Sequence, residues 1–217
     1  MPSLSPKLAQ QDPERFGAEL IGGLKDRTVY GSNLWEAVVS ASLISEDNLH
    51  VDSKTWGSRS NAQRGEVHLG AAAFSEQQRD QLIFNQADIS YEDEVTLRLL
   101  HELGRLFEAS RITADSELIQ DLLRTTRAVR SVNQNLGLSA IGSLSFYGAD
   151  MKFREDAAEL TAMYSFDPSY LKNFLGYVNT AESKPLLNSV GIATIPGYGN
   201  ELFNLVEDTI QEGIARN

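Results

Sequence analysis

The chain holds three histidines, and one of them stands among residues that could do chemistry with it. His101 and Glu102 open the run His101-Glu102-Leu103-Gly104-Arg105, inside the stretch Thr96-Leu-Arg-Leu-Leu-His-Glu-Leu-Gly-Arg-Leu-Phe-Glu108. On a helix, two histidines four residues apart face the same side and grip one zinc ion, and a glutamate between them takes a proton from metal-bound water. Here the first histidine and the glutamate are present, and the second histidine position holds Arg105. An arginine does not ligate metal, because its guanidinium stays protonated and offers only donors. Its fixed charge, roughly 5–6 Å along the helix from His101, repels a cation.

A second group of acids lies downstream, in Glu155-Asp-Ala-Ala-Glu159 followed by Leu160-Thr-Ala-Met-Tyr164. Together with the leucines and glycine around His101-Glu102, this pattern resembles the zincin metallopeptidases. It is most similar to gluzincins of the anthrax-lethal-factor and Pro-Pro-endopeptidase type, whose second helix carries E-x-x-A-E. The resemblance covers about residues 65 to 166. It implies a zinc cofactor and a peptide or protein substrate. It makes His101 and Glu155 metal ligands, Glu102 the general base, and Glu159 an outer support for a ligand histidine, although the reverse assignment of Glu155 and Glu159 stays open. In that family a tyrosine before the ligand glutamate stabilises the oxyanion. Tyr147, in Tyr147-Gly148, is the matching residue, eight positions before Glu155.

Arg105 separates this chain from the family's pattern, since two remaining protein ligands are too few for a catalytic zinc site. Three readings follow. Arg105 is a natural replacement in a non-catalytic pseudo-peptidase, its guanidinium taking the metal's place and pairing with Glu155 or Glu159. Or Arg105 is an introduced substitution in an active peptidase. Or His50, His68 or Asp156 completes the metal site. Zinc is therefore the cofactor expected of an intact site, with the alternative that this chain holds none. A different class of function, a helical interaction protein with a chance motif, requires that His101, Glu102 and Glu155 do not converge.

The elements that position these residues are mostly helical. Apolar residues at Phe16, Leu20, Ile21 and Leu24 predict a helix from about Pro13, and Leu34, Trp35, Val38, Val39 and Leu43 a second one after Ser32 and Asn33. Leu49, Val51 and Thr55 suggest one strand, and Val67 and Leu69 another. The polar stretch 57–65 between them reads as a hairpin loop. Gly65-Glu-Val-His-Leu-Gly70 is read as the strand at the sheet edge, where a zincin binds extended peptide. Ser75-Glu-Gln-Gln78 looks like a capping box, and Ser90-Tyr-Glu-Asp93 like a helix start. The helix from Tyr91 to about Ala109 has the apolar face Val95, Leu99, Leu103, Leu106 and Phe107, with Leu100 beside it. Further helices are expected over about 115–135, 153–166, 169–178 and 201–214, with a Gly- and Ser-rich loop over 138–150 and an irregular stretch over 185–199. The fold class expected is α+β, a mostly helical zincin-like domain with a small early sheet and a central active-site helix. The chain reads as a single domain, with lobes of about 1–112 and 113–217.

Composition bounds the rest. The 217 residues are 41% hydrophobic and 23% charged, ordinary globular values, with no cysteine. Disulfides, thiolate metal sites and a cysteine nucleophile are thus excluded. A net charge of −11 argues against phosphate backbones and anionic membranes as partners. The opening Met-Pro-Ser-Leu-Ser-Pro-Lys has no apolar leader core, and no run approaches the roughly 18 apolar residues of a membrane span. The expectation is a cytoplasmic protein, or one exported without a recognisable signal peptide. There is no G-x-x-x-x-G-K-[ST] loop, and Gly142-Ser-Leu-Ser lacks the order of a G-x-S-x-G elbow. Asp47, Asp52 and Asp88 are too scattered for a calcium loop.

Overall fold

A computed structural model describes residues 4–74 except 42 and 53, then 90–112, 156–172 except 170, and 203–204, 207–208 and 211. Tyr147, Glu155, the capping box at 75–78, the helix expected over 115–135, and the stretches 138–150 and 185–199 lie outside the described residues. The described architecture is α+β, mostly helical, with a three-stranded sheet.

The N-terminal helices begin where side chains can satisfy their first amides. Ser5 accepts from the Leu8 amide at 3.2 Å at the start of α1 (Pro6–Gln11). Asp12 accepts from Arg15 at 3.1 Å ahead of α2 (Pro13–Gly22). The short α3 (Leu24–Arg27) leads to Thr28, whose hydroxyl donates to the Leu24 carbonyl at 2.6 Å and accepts from the Gly31 amide at 2.9 Å. That exchange closes one helix and opens α4 (Gly31–Ser40). Phe16, Leu20, Leu24, Leu34 and Val38 are buried from these elements into one core.

The sheet comprises β1 (Leu49–Asp52), β2 (Arg59–Asn61) and β3 (Glu66–Gly70), in the order β1-β3-β2. Two expectations are corrected here. β3 is the central strand, not the edge: it pairs parallel with β1, Leu49 opposite Val67, and antiparallel with β2, Arg59 opposite His68. The edge beside it is β2, formed within the stretch read as a hairpin loop. The hairpin therefore joins β2 to β3, not β1 to β3. Asn61 drives this turn by accepting from the amides of Gln63 at 3.1 Å and Arg64 at 3.2 Å. Gly65 completes it at φ 63, a left-handed conformation that a β-carbon disfavours. Val67 and Leu69 are buried and Glu66 and His68 half-buried, the alternation of a strand with one face on the core.

After β3 comes the single turn α5 (Ala71–Phe74). The long α6 (Tyr91–Ile112) starts at Ser90, whose hydroxyl accepts from the Asp93 amide at 3.1 Å and donates to its carboxylate at 2.7 Å. Val95, Leu99, Leu100, Leu103, Leu106 and Phe107 are all buried, as their spacing predicts. The helix α7 (Asp156–Phe166) packs against α6. It is also tied to the N-terminal half: the amides of Val29 and Tyr30 donate to the carbonyls of Phe166 and Ser165 at 2.9 and 2.8 Å. Tyr30 stacks on Tyr164 with ring centroids 5.4 Å apart. Among the described residues no helix is long and apolar enough to cross a membrane.

Candidate functional site

From Val95 to Gly104 every residue of α6 is buried, so this helix has no solvent face along its middle. Such a helix should be apolar all round, yet it carries Arg98, His101 and Glu102 there, each less than a tenth exposed. Removing an ion from water costs several kcal/mol unless other charges compensate it. Part of the compensation runs along the helix itself. Glu94 and Arg98 pair at 3.3 Å and Glu102 and Arg105 at 3.4 Å, so charges alternate in sign at successive turns. Burial pushes the Arg98 guanidinium down to about 10, with the adjacent Glu94 carboxylate opposing the shift.

The second pair has the geometry of a site. The Glu102 side chain is 5% exposed and that of Arg105 31%, so the carboxylate lies deep and the guanidinium reaches from it towards the surface. Gly104, between them, is a point where α6 and α7 approach closely. A β-carbon there would lie 2.8 Å from the Ala158 carbonyl oxygen and 3.3 Å from the Thr161 β-carbon. Only a residue without a side chain permits that approach. Glu159, next to Ala158, is fully buried. His101, one turn before Gly104, is also buried. The two helices that the motifs mark are thus packed directly together at Gly104, and His101, Glu102 and Glu159 are each buried.

Arg105 has Glu102 as a partner, on its own helix. The proposed pairing with Glu155 involves a residue outside the described ones, as does the role of Tyr147. Asp156 begins α7. His50 and His68 face each other across β1 and β3 with ring centroids 4.7 Å apart, and His68 Nε2 lies 3.4 Å from Glu66 Oε2. They sit on the outward face of the sheet. Among the described residues no group of three or more His, Asp or Glu side chains is placed to hold a metal ion.

Among the described residues, the donors at the motif do not fit zinc. The position four residues after His101 holds a permanent cation, Arg105, which lies 3.4 Å from the Glu102 carboxylate. What the described residues show is a buried carboxylate, Glu102, paired with a half-buried guanidinium, Arg105, on the same helix.

Two features escaped sequence reasoning. The Glu94–Arg98 pair was legible in principle from its i, i+4 spacing. Tyr164 was not. Its ring is buried against Tyr30 and Phe203, and its hydroxyl lies 3.0 Å from Glu207 and 3.4 Å from the Gln211 amide. Burial pushes this phenol up to about 12. Comparison with protein-family models, with curated proteins and with solved structures finds no match to this chain.

Proposed function

We propose that this chain is a metallopeptidase-like protein that binds peptide without hydrolysing it, with Arg105 standing where the family pattern has a metal ligand. What supports the reading is that α6 and α7, the two motif-bearing helices, pack against each other at Gly104, and that His101, Glu102 and Glu159 are each buried. A chance motif on an amphipathic helix gives no reason for those residues to be buried, since burial of each opposes folding.

In this reading Arg105 does electrostatically what a metal ion does in an active relative: it balances buried carboxylate charge. It does so without an open coordination position, so no water is activated. Glu102 is held as a salt-bridged carboxylate, not a base. The substrate-binding part of such a scaffold survives as a surface for extended peptide, on the edge strand β2 and not on β3.

Incubation with an unstructured protein such as casein, with and without added zinc, tests the loss of chemistry. The wild-type chain should leave the substrate intact in both cases. Cleavage that a chelator abolishes and that Glu102→Gln also abolishes would overturn the proposal.

A further inference from the structure

The β2–β3 hairpin carries positive charge that the α6–α7 site does not use. Arg59, Ser60, Asn61 and Arg64 line a cavity of about 470 Å³, with Glu66 and His68 contributed by β3. Arg59 and Arg64 are exposed, and among the described residues neither forms an ion pair. The one carboxylate in the cavity, Glu66, lies beside His68 instead. Two unpaired guanidiniums converging on one cavity are unexpected in a chain of net charge −11, where carboxylates outnumber cations. A negative ligand is repelled by most of this surface and attracted here, so the field selects the location as well as the sign.

The backbone adds a direction. β2 pairs with β3 on one side only and ends the sheet among the described residues. An edge strand exposes unpaired amides and carbonyls, to which an extended chain can add. Arg59 and Asn61 point to one face of β2 and Ser60 to the other, and a chain added alongside places alternate side chains on the arginine face about 7 Å apart. Arg64, in the turn after β2, extends the positive charge beyond the strand end.

We infer that this hairpin binds an extended acidic peptide segment, laid along β2 with carboxylate side chains in the cavity between Arg59 and Arg64. The extended conformation rests on reading the chain as a peptide-binding relative of peptidases; the preference for carboxylates rests on the two arginines alone.

Fluorescence anisotropy of labelled peptides with the full chain tests it, using one sequence that alternates Val or Thr with Glu and two others in which Glu becomes Gln or Lys. The Glu peptide should bind at least about tenfold tighter than the Gln peptide, with the Lys peptide weakest. The double variant Arg59→Glu/Arg64→Glu, which alters only exposed side chains, should remove roughly that tenfold. Raising the salt to roughly 0.5 M should weaken Glu-peptide binding several-fold. Equal binding of the Glu and Gln peptides, absence of binding, or Glu-peptide binding indifferent to the double variant would each overturn the inference. Zinc binding by Arg105→His does not involve Arg59 or Arg64. Its success alongside failed peptide selection would discard this inference alone, and the converse would discard the peptidase-like reading alone.

Discussion

Gly104→Ala is the smallest change that probes the crossing on which the site depends. The added methyl would sit 2.8 Å from the Ala158 carbonyl oxygen, 3.2 Å from the Ala158 α-carbon and 3.3 Å from the Thr161 β-carbon. Comfortable carbon contacts are about 3.5–4.0 Å, and the first two of these atoms are helix backbone, which does not rotate away. The helices must therefore part. Overpacking of this kind costs about 1–3 kcal/mol. Alanine recovers about 1 kcal/mol of helix propensity in α6, leaving a net loss of about 1 kcal/mol. For a chain of this size that lowers the melting temperature by about 2–4 °C. Gly22, at the end of α2, is the matched control, since a β-carbon there meets nothing within 4 Å. Gly22→Ala should leave stability unchanged or raise it by up to about 1 kcal/mol. Urea denaturation of the two variants beside the wild type measures both. If Gly104→Ala gains stability as Gly22→Ala does, the helices are not in contact there and the geometry of the site fails with them.

Three further outcomes follow from the charges. Glu102→Gln and Arg105→Ala, made singly and together, should show a coupling of about 0.5–1.5 kcal/mol in a denaturation cycle, and additivity would mean that the pair at 3.4 Å contributes nothing. Arg98→Met should leave stability within about 1 kcal/mol or raise it, whereas Glu94→Ala, which takes the carboxylate from a buried guanidinium, should lower it by about 1–3 kcal/mol; the opposite order would refute the burial argument. Because burial raises Tyr164 from 10.0 to about 12, its neutral form is favoured by folding: that contribution is complete below pH 10 and disappears as pH rises through about 12. An absorbance titration of the phenols should show one late component that Tyr164→Phe removes, and a titration unchanged by that substitution would contradict the assignment.

Local signals carried the described helix α6 and two of the three strands, but not the order of the sheet. The apolar spacing from Val95 to Phe107 and the Ser90 cap are properties of adjacent residues, and α6 follows them. Ser5 and Pro6 carry the same kind of signal for α1, but its six residues are too few to show an apolar period. Strand pairing is not local. The alternation of Val67 and Leu69 marks a half-buried strand but not its neighbours, and a polar stretch such as Arg59-Ser-Asn61 has no apolar alternation of its own. It becomes a strand because Asn61 and Gly65 turn the chain back onto β3. At the site, His101, Glu102 and the replacement at Arg105 were legible from residue types at helical spacing. The part played by Gly104 was not, because its neighbour Ala158 lies far away in the chain and only packing brings it close. The cavity at Arg59 and Arg64 was hidden for the same reason that β2 was.

If Arg105 alone separates this helix pair from a metal-binding one, calorimetric titration of zinc into Arg105→His will detect binding. The variant should bind one zinc ion per chain, with the wild type and the double variant His101→Ala/Arg105→His binding none. If Arg105→His stays folded and takes up no zinc, the likeness between this chain and the metallopeptidases stops at the sequence of one helix.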